Sequence, residues 1–277
     1  MQPELKLRII SGIILAIVVL GATIYGGVVF SVLSALIGLL IYYEWSTITR
    51  LQAEQPLTNV VGWIGQAAIA AAVVAGTLGY SLILLALFFV LAIGLMFAGR
   101  TSSWFPAGVV YAGLTGIALS GIRGSDSAGL HAMLFVFAVV WATDILAYFI
   151  GRAIGGPKLA PKISPGKTWS GAIGGTVSAV VAGVLVAYFA FSGKVALAAP
   201  IAFVLSVFSQ SGDLFESFIK RRFGVKDSSH LIPGHGGVMD RVDGLIFACF
   251  AAFLLAGLFS LIKGGEVTSL GAALFGV

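Results

Sequence analysis

Two pairs of acidic residues in the C-terminal third of the chain are spaced for cation binding. Asp213 and Glu216 are three residues apart, as are Asp240 and Asp243, and residues at that offset share one face of a helix. Like charges so close repel unless a cation lies between them, and oxygen ligands suit a hard cation such as Mg²⁺, which often also holds a phosphate. In the alternative interpretation, nearby basic residues neutralise the acids in ion pairs: Lys220, Arg221, Arg222 and Arg241.

The segment between the acid pairs, LIPGHGGVMDR (residues 231–241), has the composition of a ligand-binding loop. Glycine lets the backbone approach a ligand closely and offer its amide groups to phosphate oxygens, and proline ends a helix. His235 lies among these residues and is a candidate for binding phosphate or orienting a ligand. The residues that interrupt a helix here are Pro233, Gly234, Gly236 and Gly237.

A second basic segment, GRAIGGPKLAPKISPGKTWSG (residues 151–171), contains four cations and no acid: Arg152, Lys158, Lys162 and Lys167. Such a loop often only fixes the orientation of a membrane protein and holds anionic lipid. Its Pro and Gly residues favour an ordered loop. The GKT at residues 166–168 does not fit a P-loop, because Pro161 stands where that motif needs Gly and we expect no strand before it.

The composition determines the class of protein. Of 277 residues, 59% are hydrophobic and only 10% are charged, and the mean hydropathy is +1.06. Soluble globular chains are far less apolar. The sequence therefore predicts an all-α, polytopic integral membrane protein.

The apolar runs predict about nine transmembrane helices, since a bilayer core needs about 20 helical residues. The run between Arg8 and Arg50 is long enough for two crossings that fold back near residues 25–27, and the run between Leu57 and Gly99 for two more around Gly79. Single crossings are predicted at residues 104–122, 129–150, 169–192, 197–219 and 244–262.

The distribution of basic residues predicts the orientation. With a cytoplasmic N-terminus and a C-terminus on the opposite side, thirteen of the sixteen Lys and Arg residues lie inside, and only Arg123, Lys194 and Lys263 lie outside. This bias is typical of membrane proteins. The pI of about 9.4 is thus explained by topology and requires no nucleic acid partner.

Asp144 and Asp213 are predicted to lie inside the membrane. Each is about six residues from the cytoplasmic end of its predicted span, or about 9 Å below the boundary, so the two can meet at one depth. A lone carboxylate there costs at least about 2.5 kcal/mol, which requires a partner, a cation or a water-filled cavity. Glu44, beside Trp45, fits a functional residue and an interface residue equally well.

The segment SFIKRRFGVKDSSHLIPGHGGVMDRVDG, Ser217 to Gly244, resembles the signature of the phosphatidate cytidylyltransferases. It has the Ser, the Lys-Arg, the Lys-Asp, the Pro-x-His-Gly-Gly and the Asp-Arg-x-Asp at that family's spacing. DILAYFIGR and KLAPKISPGKTW look like the family's other cytoplasmic block. One departure is Ser170, where many relatives have Glu, and we therefore assign position 170 no catalytic role.

The resemblance implies transfer of a cytidylyl group from CTP to phosphatidic acid, with Mg²⁺ required. The sequence shows no repeat, linker or low-complexity segment, which predicts a single transmembrane domain, residues 1–277. The resemblance implies a bacterial inner membrane, with cytoplasmic loops 151–169 and 218–243 forming the catalytic face. A cavity open to the membrane near the sixth and eighth spans is expected, because the lipid must enter with its tails in the bilayer.

For that reaction, the resemblance implies a role for each candidate site residue. Asp213 and Asp240 are the leading metal ligands, and Asp243, Glu216 and Asp144 are further ligands or supports, with a second cation left open. Lys220, Arg221, Lys226 and Arg241 hold the triphosphate, while Arg152, Lys162 and Lys167 attract the phosphatidate headgroup. The nucleotide loop is shaped by Ser217, Asp227, His235, Gly236 and Gly237.

Two other functions remain open from the sequence. A cation- or proton-coupled secondary transporter would use Asp144 and Asp213 as ion sites near the bilayer midplane, without any nucleotide effect. A CTP-dependent phosphotransferase would act on another lipid. The GxxxG pattern at Gly171 and Gly175 leaves a homodimer open, since such faces pack helices within a chain as readily as between chains.

Overall fold

Most of the described chain is helical, as the composition predicts. The computed structural model describes residues 3–190, 195–262 and 269–276. For residues 3–6, 8, 195 and 196 it describes the backbone but not the side chains. Lys194 and Lys263, predicted on the outer side, lie outside the described residues. The helices are α1 (Pro3–Tyr25), α2 (Gly27–Ile48), α3 (Leu51–Glu54), α4 (Pro56–Val74), α5 (Leu78–Phe97), α6 (Trp104–Arg123), α7 (Ser127–Ile154), α8 (Trp169–Ala190), α9 (Val195–Phe223), α10 (Met239–Ile262) and α11 (Leu270–Phe275).

The nine predicted spans all coincide with helices. Eight of the described helices are long and apolar enough to cross a membrane, namely α2 and α4 to α10, and α1 adds a shorter apolar stretch, Ile9–Tyr25. The first fold-back occurs at Gly26 and Gly27, which both have positive φ angles that glycine adopts without strain. The protein is therefore an all-α polytopic membrane protein.

Several helix ends differ from the prediction. α7 and α9 continue to Ile154 and Phe223, and α10 begins at Met239, so the predicted loop 218–243 shortens to residues 224–238. The turn before α5 precedes Gly79. Hydropathy locates the apolar part of a helix, whereas the helix itself continues into polar residues such as the basic end of α9.

The segment between α7 and α8 contains a β-hairpin that the sequence analysis missed. Strand β1 (Lys158–Ala160) pairs antiparallel with β2 (Ser164–Thr168), with Lys158 opposite Thr168. The expectation of no strand before the GKT was therefore wrong, and the case against a P-loop rests on Pro161. Strands of three and five residues are too short for a period-2 pattern to stand out.

The chain forms two compact units, which are described separately. The first comprises the residues up to Gly121 together with Arg222–Arg241, and the second comprises Ile122–Arg221 together with the residues from Val242 onward. The prediction of one domain over residues 1–277 stays a prediction.

In the first unit, α2 packs closely on α4 and α6. The indole nitrogen of Trp45 donates to the carbonyl oxygen of Trp104 at 2.8 Å, and Gln66 on α4 donates to the Val109 carbonyl at 3.0 Å. A Cβ at Gly38 would lie 3.0 Å from the Ala112 carbonyl oxygen. The Gln66 bond joins α4 to α6, and the Trp45 bond fixes the end of α2 where Glu44 lies, which is the end predicted to be cytoplasmic.

In the second unit, α7 and α8 cross at very short range. A Cβ at Gly171 would lie 2.6 Å from the Ala147 carbonyl oxygen, and one at Gly175 would lie 2.7 Å from the Thr143 carbonyl oxygen. The GxxxG face is thus packed within the chain, and this contact gives no support to the homodimer. The close crossing sets the positions of the side chains on α7 and of the hairpin that precedes α8.

Replacing Gly175 by valine is expected to destabilise the protein by about 1–3 kcal/mol, because the added atoms overlap the α7 backbone. Gly94→Val on α5 is the matched control, since a Cβ at Gly94 meets no atom within 4 Å and the change in helix propensity is the same. Thermal unfolding in detergent measures the difference. Equal melting temperatures for the two variants would contradict the packing described for α7 and α8.

Candidate functional site

The second unit contains a cavity of about 710 Å³ between α7, the β-hairpin, α8 and α9. This volume is typical of small-molecule sites. Both intramembrane aspartates, Asp144 and Asp213, line it, which confirms that they meet. The other side chains on its wall that carry polar groups include Tyr148, Arg152, Lys158, Lys167 and Gln210.

Lys167 offsets part of the negative charge of the carboxylates in this cavity. Its ammonium group forms an ion pair with Oδ2 of Asp213. The carboxylates of Asp144 and Asp213 are close enough to repel one another, and Lys167 offsets that repulsion. Asp243 on α10 interacts with the same three charges. Three carboxylates and one internal cation leave this cluster with a formal charge that favours an additional cation.

Hydrogen bonds between the two ends of the hairpin segment hold the hairpin, and with it Lys167, in position. The backbone amide of Trp169 donates to the Pro157 carbonyl at 3.0 Å, and the hydroxyl of Ser170 donates to the Gly155 carbonyl. Thr168 Oγ1 accepts from the amide of Gly171 at 3.2 Å, which satisfies an amide in the first turn of α8. Ser170 thus has a structural contact, in keeping with its lack of a predicted catalytic role.

An apolar groove of about 680 Å³ adjoins the polar cavity. It runs along α8 and α9, and Leu159, Ala172 and Gln210 line both the groove and the cavity. The amide of Gln210 donates to Thr176 Oγ1 at 2.9 Å, so the boundary between the two is polar. Below that boundary the wall is mostly aliphatic, with Ile173, Val177, Val181, Phe203 and Val207.

In the first unit, the loop between α9 and α10, residues 224–238, is organised by Glu44 of α2. The carboxylate of Glu44 is fully buried. It accepts hydrogen bonds from the backbone amides of Val238 and Met239, at 2.7 and 2.6 Å. It also accepts from the hydroxyls of Ser229 at 2.6 Å and Ser228 at 3.2 Å. Glu44 therefore joins both ends of the loop and satisfies amides at the start of α10.

Asp240 makes a second link across the same loop. Its Oδ2 accepts from the amide and the hydroxyl of Ser228 and from the amide of Gly237, each at 2.8 Å. A Cβ at position 237 would overlap Ser228 Oγ and Glu44 Oε1, so only glycine fits there. The Gly237 amide is thus committed to Asp240 in this structure, rather than offered to a phosphate as the sequence analysis expected.

The loop also contacts α1. Between its two ends, residues 232–236 form a tight turn in which the amide of Ile232 donates to the Gly236 carbonyl at 2.8 Å. His235 lies in this turn, and its Nδ1 is 2.7 Å from the Ser11 hydroxyl. The ring position of His235 is therefore set by a side chain outside the signature.

The acidic residues differ in how well their surroundings suit them as ligands of a Mg²⁺ ion. Among the described residues, no three His, Cys, Asp or Glu side chains are arranged as a metal site. Magnesium often takes only one or two carboxylates and completes its shell with water and substrate phosphates, so the Asp144 and Asp213 pair, with Asp243 nearby, fits it. Glu216 fits poorly, because it is buried and ion-paired with Lys220 at 2.6 Å.

The predicted site residues are therefore distributed over several environments. Asp144, Arg152, Lys167 and Asp213 come together in the cavity, and Ser217 Oγ lies 3.4 Å from Asp213 Oδ1. For Glu216 and Lys220 the ion-pair alternative describes the structure. The remaining predicted side chains that are exposed are Lys162, Arg221, Lys226, Asp227 and Arg241.

The sequence analysis missed the contributions of Lys158, Glu44 and Ser228. Lys158 was recognised only as one charge of a basic segment, and Ser228 only as part of the loop. The signal for Glu44 was an acid within an apolar run, which indicated that a partner must exist. No feature of the sequence identified that partner.

Comparison with known proteins shows the family. The sequence model of the cytidylyltransferase family matches residues 6–259, nearly the whole chain. The chain belongs to the cytidylyltransferase family. The resemblance seen in Ser217 to Gly244 is thereby confirmed, and the two acidic clusters described above both fall within the region matched.

Curated members of the cytidylyltransferase family are similar over much or all of the chain. A phosphatidate cytidylyltransferase of Brucella abortus is 43% identical over 274 residues, which cover 93% of this chain and 95% of the relative. One from Haemophilus influenzae is 45% identical over 171 residues, 58% of each chain. One from Rickettsia prowazekii is 45% identical over 138 residues, 47% of this chain and 60% of the relative.

Replacing Ser228 by alanine is expected to loosen the loop, because its hydroxyl lies between the carboxylates of Glu44 and Asp240. Loss of this hydrogen bond should raise the exchange rate of the amides at residues 237–239 by about tenfold. Hydrogen exchange read by mass spectrometry measures this. Ser211→Ala is the control, since that hydroxyl bonds only its own helix, to the Val207 carbonyl. Unchanged protection in the Ser228 variant would contradict the described hydrogen bonds.

Proposed function

We propose that this protein transfers a cytidylyl group from CTP to phosphatidic acid, giving CDP-diacylglycerol and pyrophosphate. The observation that carries the proposal is a polar cavity with both cations and carboxylates that adjoins an apolar groove. A lipid with a phosphate headgroup has the same two parts. Membership of the cytidylyltransferase family and the names of the curated relatives support the identity of the nucleotide and the acceptor.

The lipid substrate is assigned to the second unit. Arg152, Lys158 and Lys167 on the cavity wall supply the positive charge that a phosphate monoester requires. The acyl chains extend into the groove along α8 and α9, whose wall is aliphatic. This arrangement agrees with the expectation that the lipid enters sideways from the membrane.

The nucleotide is assigned to the loop of the first unit and the basic residues that flank it. Lys226 and Arg241 are exposed and form no ion pair among the described residues, so their charges are available for the triphosphate. Arg221 at the end of α9 is exposed likewise. His235 is held in the turn of the loop, where its imidazole can donate to a phosphate oxygen.

The reaction needs charge neutralisation more than proton transfer. A phosphate oxygen of phosphatidic acid forms a bond to the α-phosphorus of CTP, and the bond from that phosphorus to the bridging oxygen of pyrophosphate breaks. The attacking oxygen is already ionised at neutral pH, so no general base is required. Because both reactants are polyanions, positioning and electrostatic stabilisation by cations carry the catalysis.

Mg²⁺ is proposed as the cofactor, held by Asp213 and Asp144 with support from Asp243, and a second cation remains part of the proposal. Asp240, expected from the sequence as a leading ligand, is left out of this set because its Oδ2 accepts three hydrogen bonds from the loop. When bound, the ion would neutralise phosphate charge and orient the phosphate groups. In the structure Lys167 compensates Asp213 directly. Lys167 therefore both holds the carboxylate and contributes positive charge to the cavity.

We also propose a cytoplasmic active site in a bacterial inner membrane. The position of thirteen of sixteen basic residues on one side of the predicted topology supports the orientation. The bacterial sources of the curated relatives support the compartment. The same charges serve topology and phosphate binding, and no nucleic acid partner is proposed.

Transfer of label from CTP into extractable lipid tests the function. Purified protein in detergent, given phosphatidic acid, labelled CTP and Mg²⁺, should produce labelled lipid and pyrophosphate in equal amounts. Asp213→Asn should lower the rate at least about 100-fold, because the carboxylate cluster loses its central charge. Glu54→Gln, at an exposed acid outside the site, should leave the rate unchanged.

The outcomes separate the alternatives. Label that enters another phosphorylated lipid but not phosphatidic acid would indicate the second CTP-dependent activity. No nucleotide chemistry, together with ion flux that depends on Asp144 and Asp213, would indicate the transporter. Transfer that survives Asp213→Asn would keep the function and remove this residue from the site.

Narrowing the groove is expected to change acyl-chain preference. Val177→Trp adds bulk to the groove wall. It should raise the KM for long-chain phosphatidic acid about fivefold relative to that for a short-chain analogue, because only the long acyl chains need the space that the tryptophan side chain would occupy. Val90→Trp on the exposed face of α5 is the control. An equal effect of Val177→Trp on both lipids would mean that the chains lie elsewhere.

A further inference from the structure

Glu44 is a charged side chain in a fully buried position that the proposed chemistry does not use. None of its surface is exposed to solvent. No ion pair of Glu44 occurs among the described residues, so no cation offsets its charge. The carboxylate is instead surrounded by hydrogen-bond donors, two backbone amides and two hydroxyls.

The number of donors explains how the charge is tolerated. An ionised carboxylate offers about four lone-pair sites. Three donors bind only Glu44 among the contacts described, namely two backbone amides and the Ser229 hydroxyl, while the single hydrogen of the Ser228 hydroxyl lies between Glu44 and Asp240. Two of them, the amides of Val238 and Met239, belong to the first turn of α10 or precede it. The positive end of a helix dipole favours a negative charge at this place. A cation or a substrate could therefore bind Glu44 only by displacing donors of the loop.

The contacts of Glu44 determine the shape of the loop. Ser228 and Ser229 lie at one end of the loop, and Val238 and Met239 lie at the other. One carboxylate thus holds both ends together, while Asp240 links Ser228 to Gly237 beside it. The turn with His235 lies between these fixed ends, and its position depends on them.

We propose that Glu44 is a positioning residue for the nucleotide, acting through the loop that it holds. This assignment rests on the proposed function, in which the loop and its flanking cations bind CTP. Glu44 touches no substrate. It makes α2, which lies far from the signature in sequence, part of the nucleotide-binding apparatus, and it leaves the lipid cavity of the second unit unaffected.

Glu44→Gln tests the proposal by separating the two substrates. The amide is the same size as the carboxylate but turns one acceptor atom into a donor, which faces amide or hydroxyl donors of the loop. The KM for CTP should rise about tenfold or more, while the KM for phosphatidic acid stays within about twofold. Glu54→Gln is the matched control, since that acid belongs to the same unit and is exposed.

Two further variants keep the test decisive if Glu44→Gln does not fold. Glu44→Asp retains the charge with a shorter reach and should show an intermediate KM for CTP. Ser229→Ala removes one donor, whose oxygen lies 2.6 Å from Glu44, and should raise the KM for CTP about threefold. The effects of Glu44→Asp and Ser229→Ala should combine less than multiplicatively, because both act on one contact.

The results that overturn the proposal are distinct from failure of the proposed function. If wild-type protein and Glu54→Gln transfer label normally, an unchanged KM for CTP in the Glu44 and Ser229 variants would overturn the positioning role. An equal rise in both KM values would show general damage and would overturn it as well. Absence of transfer in the wild-type protein would overturn the proposed function itself, and this assignment with it.

Discussion

The structure depends on how a very apolar chain accommodates a few ionised groups. Removing a carboxylate from water is costly, and the cost must be offset locally by donors, by a cation or by access to water. The three solutions occur at different places in this protein. Glu44 is surrounded by donors, Glu216 is paired with Lys220, and Asp144 and Asp213 line a cavity beside Lys167.

These solutions differ in what they leave available for chemistry. A carboxylate that is fully buried among donors of the protein, such as Glu44, holds structure. The acids of the cavity are compensated in part, by one ammonium group shared among them. The cavity is therefore the place where an incoming cation meets carboxylates that the protein compensates only in part. This difference is the physical reason for proposing Asp213, rather than Glu44 or Glu216, as a metal ligand.

Much of the architecture could be predicted from the sequence, because hydropathy and helix length are local properties. The nine helical segments followed from the apolar runs and the length of helix that crosses a bilayer, and the meeting of Asp144 with Asp213 followed from their equal depth in the predicted spans. The β-hairpin did not, since its stability comes from tethers to Gly155 and Pro157 rather than from strand pattern. The loop glycines were read as phosphate-binding amides, but the Gly237 amide binds Asp240. The hydrogen-bond partners of Glu44 could not be predicted from the sequence, because they lie more than 180 residues further along the chain.

That separation has a consequence during synthesis. The donors that satisfy Glu44 follow it by 184 to 195 residues, which at about 5–20 residues per second corresponds to a delay of about 10–40 s. Throughout that interval α2 is already made and carries an ionised group without its final partners. Until Met239 emerges, the nascent chain must therefore keep this part of α2 in contact with water or the insertion machinery, or carry the Glu44 side chain protonated. Burial of one carboxylate thus makes completion of the first unit one of the last events in the biogenesis of the protein.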